Sequence, residues 1–372
     1  MKLRLLFVAA VLSLVPSAHA AGPSVDARAY LVEDGRTGEV LLARSPARRV
    51  PIASLTKLMT VLVTLEHAQL SDLVTVSPEA AAVGESSVNL RAGEQLTVRD
   101  LVEACLIQSA NDAAWALADH VGGGSESRFV VMMNRRARQL GLSDTHFVRP
   151  DGLDAAGHVS SARDVTMLAR LLMRKAVVRK IVAMRDATIA GGRSLHTWND
   201  LLGTYPGLIG VKTGHTTAAG WSEVAAVRGP GLILYATVIG SPDRTTRNDD
   251  LVELMGWGLD RFRVVRVISA GRSYARAETS YGRGHLSLVA PRSVRRAVVA
   301  GRPLVERVVA PAGVELPVSK GEKLGEVRVY ERQRLIASSP LVASRSMSEP
   351  GTIHRVRWFA GRAAHNAWGW VS

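Results

Sequence analysis

Three short motifs in this chain carry side chains that together could acylate a serine. Ser54-Leu55-Thr56-Lys57 sets a hydroxyl and an amine three residues apart. Ser109-Ala110-Asn111 adds a second hydroxyl and a carboxamide, and Lys212-Thr213-Gly214 adds a second amine. Positions i and i+3 share a helical face, so Lys57 can bring its amine beside the Ser54 hydroxyl. A serine hydroxyl is a weak nucleophile until a base takes its proton. A lysine serves as that base only when its amine is partly neutral, a state that burial and nearby cations favour. Only 7 of the 47 basic residues are lysines, so two lysines inside motifs carry weight. Chance alone supplies roughly 0.5 S-x-x-K matches in such a chain, but only roughly 0.03 of K-T-G.

The elements around these motifs suit the chemistry. Ala53–Ala68 has apolar residues on most sides and reads as a buried central helix, with Ser54 at its positive end. This helix supplies the burial for Lys57, and Lys212 is the expected nearby cation. Ahead of it, AYLVED and EVLLAR flank Gly35-Arg36-Thr37-Gly38 as a hairpin. Helical patterns follow at Val98–Gln108, Asn111–Val121, Arg128–Leu140 and Ala162–Met184, which places Ser109 in a turn between two helices. Trp221–Val227 and Leu232–Ile239 form a second hairpin, and Leu251–Phe262 reads as a helix. Strands at both ends with helices between them predict an α+β region built on one antiparallel sheet. Beyond Phe262, short Val-rich runs broken by Gly and Pro predict a small all-β domain.

The three motifs are the signature shared by penicillin-binding proteins and class A β-lactamases. ASLTKLMT, LIQSANDAAWALA, FVRPDGLDAAGHVSSARD and GVKTGHTTAAGW together resemble the low-molecular-mass serine-type D-alanyl-D-alanine carboxypeptidases. The resemblance runs from about Ala29 to the C-terminus. Two features set the chain apart from class A β-lactamases: S-A-N stands in place of S-D-N, and no Glu-x-x-Leu-Asn segment lies between Asn111 and Lys212. The other functions open to this fold are a β-lactamase, a peptidoglycan endopeptidase and an inactive wall-binding protein.

The resemblance implies a penicillin-binding/β-lactamase-like catalytic domain over residues 21–262, a β-rich domain over 263–345, and a linker with an amphipathic helix over 346–372. It implies trimming of peptidoglycan stem pentapeptides through an acyl-serine, with β-lactams as acylating inhibitors and no cofactor. Ser54 is then the nucleophile, Lys57 its base and Ser109 the relay to the leaving D-alanine. Asn111 and Lys212 hold substrate and the two catalytic side chains. The backbone N–H groups of Ser54 and His215 form the oxyanion site. The edge strand through Thr213, Gly214 and His215 pairs with the extended peptide. Thr213 and Lys212 are candidates for the substrate's terminal carboxylate, and so is Arg247, which falls at the family's carboxylate-binding arginine. His158 and Cys105 read instead as a turn histidine and a core cysteine. No His, Cys, Asp and Glu cluster at metal-ligand spacing, so no metal is expected.

Composition bounds the rest. At 372 residues with 47% hydrophobic and 22% charged side chains, the chain is globular and two-domain sized. One cysteine excludes an intramolecular disulfide. The net charge of +14 is uneven: residues 21–260 hold 25 basic and 26 acidic side chains, and residues 261–372 hold 20 and 7. Basic charge placed away from the chemistry argues against nucleic acid and for an anionic surface. Lys2 and Arg4, the apolar run Leu5–Val15 and Ala18-His19-Ala20 read as an export signal over residues 1–20. On a helical wheel Ile353, Val356, Phe359 and several alanines gather on one side of Ile353–Trp370, with Arg357 and Trp358 breaking the pattern. That helix is expected to lie in the plane of an anionic membrane on its outer face.

Overall fold

The computed structural model of the chain describes residues 5–12 and 22–368, with side-chain surroundings over 22–360. It divides into a unit of residues 21–260 and a second unit containing residues 261–372.

The first unit is built on a five-stranded antiparallel sheet. Its strands are β1 (Ala29–Asp34), β2 (Glu39–Arg44), β3 (Leu208–Thr216), β4 (Gly220–Gly229) and β5 (Leu232–Ser241), in the order β2-β1-β5-β4-β3. The two hairpins expected from the sequence are present, and they meet through β1 and β5, where Tyr30 opposes Val238. β4 and β5 are almost continuously apolar because helices cover both faces. Gly258 of helix α4 (Arg244–Asp260) sits against Leu234, while Thr166 of α3 (Ala162–Leu172) bonds Thr237 at 2.6 Å. Residues three apart on a strand point to opposite faces, so the two helices sandwich the sheet.

Helix α1 (Lys57–His67) is buried on all sides from Lys57 to Thr64, as its sequence requires. The residues before it form a separate 3-10 turn, Ala53–Thr56. Val98–Glu103 runs into a π-helical turn, Ala104–Gln108, and α2 (Asn111–Gly122) follows two residues later.

Three boundaries differ from expectation. The stretch 162–184 breaks after Leu172, where Lys175 turns extended before a short helix Ala176–Ile181. No Gly or Pro marks that break. Residues 186–196 form a small hairpin that its mixed composition did not announce. α4 starts seven residues before Leu251, and Phe262 opens a strand of the second unit instead of closing this helix.

In the second unit, strands with alternating burial such as Leu304–Pro311 and Lys323–Glu331 form one sheet around their own apolar core. Leu5–Leu12 runs antiparallel beside Leu304–Pro311 at its margin. Phe262–Ile268 and Val294–Val299 form a separate ribbon. The tail helix, Thr352–Trp368, comes last. The Trp370 position lies outside the described residues.

Candidate active site

Ser54 stands at a strained corner. Ala53 adopts φ +49, a left-handed conformation that costs a non-glycine residue roughly 1–3 kcal/mol. The loop Pro150-Asp151-Gly152 closes on this corner. Gly152, at φ +89, leaves open the space that any Cβ would take from the Ala53 carbonyl, and the Pro150 carbonyl accepts from Thr60 Oγ1 at 2.6 Å. From the other side comes β3, the edge of the sheet. A Cβ on Gly214 would lie 3.0 Å from the Ile52 carbonyl oxygen and 3.1 Å from Ser54 N. Glycine there lets the strand press against the turn.

Lys57 Nζ donates to Ser54 Oγ at 2.8 Å, to Asn111 Oδ1 at 2.6 Å and to the Asp151 carbonyl at 2.8 Å. Two of these partners are pure acceptors. A neutral amine keeps two N–H bonds for them, and its lone pair is then left facing the serine. Burial pulls the Lys57 pKa from 10.5 down to about 8, against the opposing charge of Asp151. Arg149 adds to this depression, and the expected repulsion between Lys57 and Lys212 lowers the Lys212 pKa. Lys212 spends its donors on Ser109 Oγ, at 2.9 Å, and on the Thr213 carbonyl. Burial first, and Lys57 second, drive the Lys212 pKa well below 10.5. Ser109 follows the π turn with φ +65. Non-glycine left-handed residues and π turns both concentrate at functional sites. Two serine–lysine pairs thus face one cleft of about 280 Å³, bordered by Ser54, Ser109, Thr213, His215, Trp198 and Arg247.

Residues 16–243 match the profile of the family described as D-alanyl-D-alanine carboxypeptidase. The chain belongs to this family. Among its relatives, D-alanyl-D-alanine carboxypeptidase DacD of Salmonella typhimurium is 32% identical over 350 residues, 90% of each chain. D-alanyl-D-alanine carboxypeptidase DacC of Escherichia coli is 31% identical over 376 residues, 94% of this chain and 92% of that one. The crystal structure of penicillin binding protein 5 from Haemophilus influenzae, 28% identical, superposes with a TM-score of 0.65 over 89% of this chain and 100% of that one.

The remaining expected residues of this carboxypeptidase-family site are placed as follows. His215 is exposed beside the cleft, its ring stacked on Trp221 with centroids 4.1 Å apart. Arg247, on α4, is only 1% exposed. Its guanidinium bonds Asp200 Oδ2 at 3.1 Å and Asn248 Oδ1 at 2.6 Å, and lies 5.9 Å from the Trp221 ring centroid. His158 is buried behind α1. Its Nδ1 accepts from Val148 N, so Nε2 carries the proton toward Thr56 Oγ1 at 2.7 Å, and burial lowers its pKa to about 4. It is a neutral structural histidine. Cys105 is buried core, its thiol pushed up to about 12 by burial.

Sequence reasoning missed five contributors. The Asp151 carbonyl and Gly152 shape the nucleophile corner; Pro-Asp-Gly is a turn signal, but nothing local ties it to Ser54. Trp198 and Asp200 reach the cleft from the irregular segment after the 186–196 hairpin. Glu223 does carry a signal: it is an acid inside the apolar strand β4, fully buried there.

Proposed function

We propose that this chain is a serine-type D-Ala-D-Ala carboxypeptidase that removes the terminal D-alanine from peptidoglycan stem peptides through an acyl-Ser54 intermediate. The observation that carries the reading is the Lys57 amine, 2.8 Å from Ser54 Oγ and otherwise bonded to two acceptors. Lys57 takes the Ser54 proton as Oγ attacks the carbonyl of the D-Ala-D-Ala bond. The oxyanion forms against the backbone N–H groups of Ser54 and His215, on the turn and strand that Gly214 lets meet. Ser109, held by Lys212, passes a proton to the departing amine. Asn111 keeps Lys57 oriented and binds the substrate amide. The peptide extends along β3, and its terminal carboxylate is drawn to Thr213 and Arg247. Water, activated by the same lysine, then releases the shortened peptide and restores Ser54. A β-lactam presents a strained amide and a carboxylate to the same groups and acylates the same serine.

The setting of the enzyme follows from its ends. The charged start, apolar run and Ala-x-Ala pattern support export and cleavage after Ala20. The tail helix supports attachment to the outer face of the cytoplasmic membrane. Among the described residues no helix is long and apolar enough to cross a membrane.

Ser54→Ala tests the central claim. The variant is expected to lose both D-alanine release from a muropeptide pentapeptide and covalent labelling by a fluorescent penicillin. Persistent labelling would place the nucleophile elsewhere.

A further inference from the structure

Glu223 is a fully buried acid that the mechanism above does not use. It sits on β4 directly opposite Thr213, one strand in from the peptide-binding edge. Neither carboxylate oxygen has a hydrogen-bond partner. The nearest cation is Arg247, whose Nε lies 3.4 Å from Glu223 Oε2. That is an ion contact without hydrogen-bond geometry. An unsatisfied carboxylate in an apolar strand is destabilising, so its presence beside the proposed substrate-binding arginine calls for an explanation in that arginine's work.

We propose that Glu223 is a positioning residue that sets the free positive charge of Arg247, so that capture of the substrate's terminal carboxylate draws a proton from solvent onto Glu223. The proposal rests on the reading of Arg247 as the carboxylate site. The groups facing Glu223 are few: Arg247 from α4, Lys212 from β3 and Asp200 from the segment before β3. Asp200 is itself held by Arg244 and by Asn248 Nδ2, the latter at 3.0 Å. With Glu223 ionised, Arg247 already faces two carboxylates. An arriving third carboxylate then meets little uncompensated charge. With Glu223 protonated, the guanidinium has only the shared Asp200, and the substrate supplies the missing counter-charge. Burial raises the Glu223 pKa from 4.5 to about 7, with Asp200 adding to the rise and Arg247 and Lys212 opposing it. The switch therefore lies near neutral pH.

The sign follows from linkage. An anion bound at Arg247 favours the protonated acid, so affinity is highest below about pH 7 and declines above it. KM for a D-Ala-D-Ala peptide is expected to rise roughly fivefold to tenfold between about pH 6 and about pH 8.5. The pH dependence of kcat, set by Lys57, is separate. In Glu223→Gln, KM should become flat with pH while the kcat profile keeps its shape. The carboxamide of that variant has no proton to lose, so its thermal stability above pH 7 should equal or exceed that of the parent. If the variant keeps the parent's KM profile, the proposal is wrong.

A second measurement reads the proton itself. Calorimetric binding of the peptide to Ser54→Ala, in two buffers of different ionisation enthalpy near pH 7.5, should show uptake of a fraction of a proton. Added Glu223→Gln should abolish it. Absence of uptake in Ser54→Ala overturns the proposal even where the double variant does not fold. Failure of the underlying reading looks different: Arg247→Ala would then weaken a C-terminally amidated peptide as much as the free acid. Selective loss in Arg247→Ala, with unchanged pH dependence in Glu223→Gln, removes only the role of Glu223.

Discussion

Lys57 is the residue whose surroundings most directly fix a rate. Three hydrogen bonds hold its amine, and burial lowers its pKa to about 8. As a base it works only after losing a proton, so acylation should rise with pH through about 8 and level off above it. The check is the rate of penicillin acylation under single-turnover conditions; a plateau already complete by about pH 6 would remove Lys57 as base. Asn111→Ala would leave that amine with one fewer acceptor, and its loss of activity should appear in kcat. Arg247 is proposed to act at the other end of the substrate. A charge-assisted bond to a carboxylate is worth roughly 1.5–3 kcal/mol, so Arg247→Ala should cost tenfold or more on a peptide with a free terminal carboxylate. A neutral thioester substrate should lose much less. Equal losses on both would make Arg247 a structural partner of Asp200 and Glu223.

The elements matter because the catalytic corner is assembled from pieces far apart in sequence. The 3-10 turn, the start of α2 and the Pro150–Gly152 loop meet at the Lys57 amine through Ser54, Asn111 and Asp151, and the edge strand presses on the same turn at Gly214. Gly214→Ala tests the tightest of these meetings. Its Cβ would fall 3.0 to 3.2 Å from three backbone atoms between Ile52 and Leu55, so strand and turn must separate by a few tenths of an ångström. Acylation should fall at least tenfold, the scale of a misplaced oxyanion donor, while the thermal midpoint shifts by only a few degrees. A normal acylation rate would show that the strand has room to retreat. This geometry also explains what was legible in advance. Ser54 and Lys57 were readable because their relation is local, one helical repeat apart, on a stretch too apolar to lie at a surface. The two hairpins were readable from turn chemistry. The break after Leu172 was not, because Arg174 and Lys175 are good helix formers; it is capped from a distance, by Arg179 Nη1 donating to the Met173 and Arg174 carbonyls at 2.8 Å. The role of Gly152 was equally hidden. Only the folded chain brings it under Ala53, about a hundred residues upstream.

At the scale of the whole chain, the two units separate tasks as sharply as they separate charge. The first is near neutral and carries the serine–lysine pairs; residues 261–372 of the second carry a net +13 from 20 basic and 7 acidic residues. Within the second unit, the tail helix resolves an irregularity in its own wheel. Trp358, off the apolar stripe, packs edge-on against Tyr281 with centroids 5.6 Å apart, and His354 reaches the Tyr281 carbonyl at 3.2 Å. Ile353, Val356 and Phe359 of the stripe stay exposed at 75%, 62% and 58%, although the Phe359 ring also meets Tyr281 edge-on at 6.1 Å. The helix is therefore held by one side and offers the other. Burying three such side chains is worth about 1.5–3 kcal/mol each, and each nearby arginine adds about 1 kcal/mol at an anionic surface. Together these suffice for peripheral attachment without spanning. The mature chain should pellet with vesicles containing anionic lipid, and added salt should release part of it. A chain ending at Pro350 should stay in the supernatant and still hydrolyse peptide. Val356→Asp, on the outward stripe, should weaken vesicle binding at least tenfold with peptide hydrolysis unchanged, because Val356 has no part in the proposed chemistry. A mature full-length chain that remains soluble beside anionic vesicles at low salt would assign the stripe to something other than lipid.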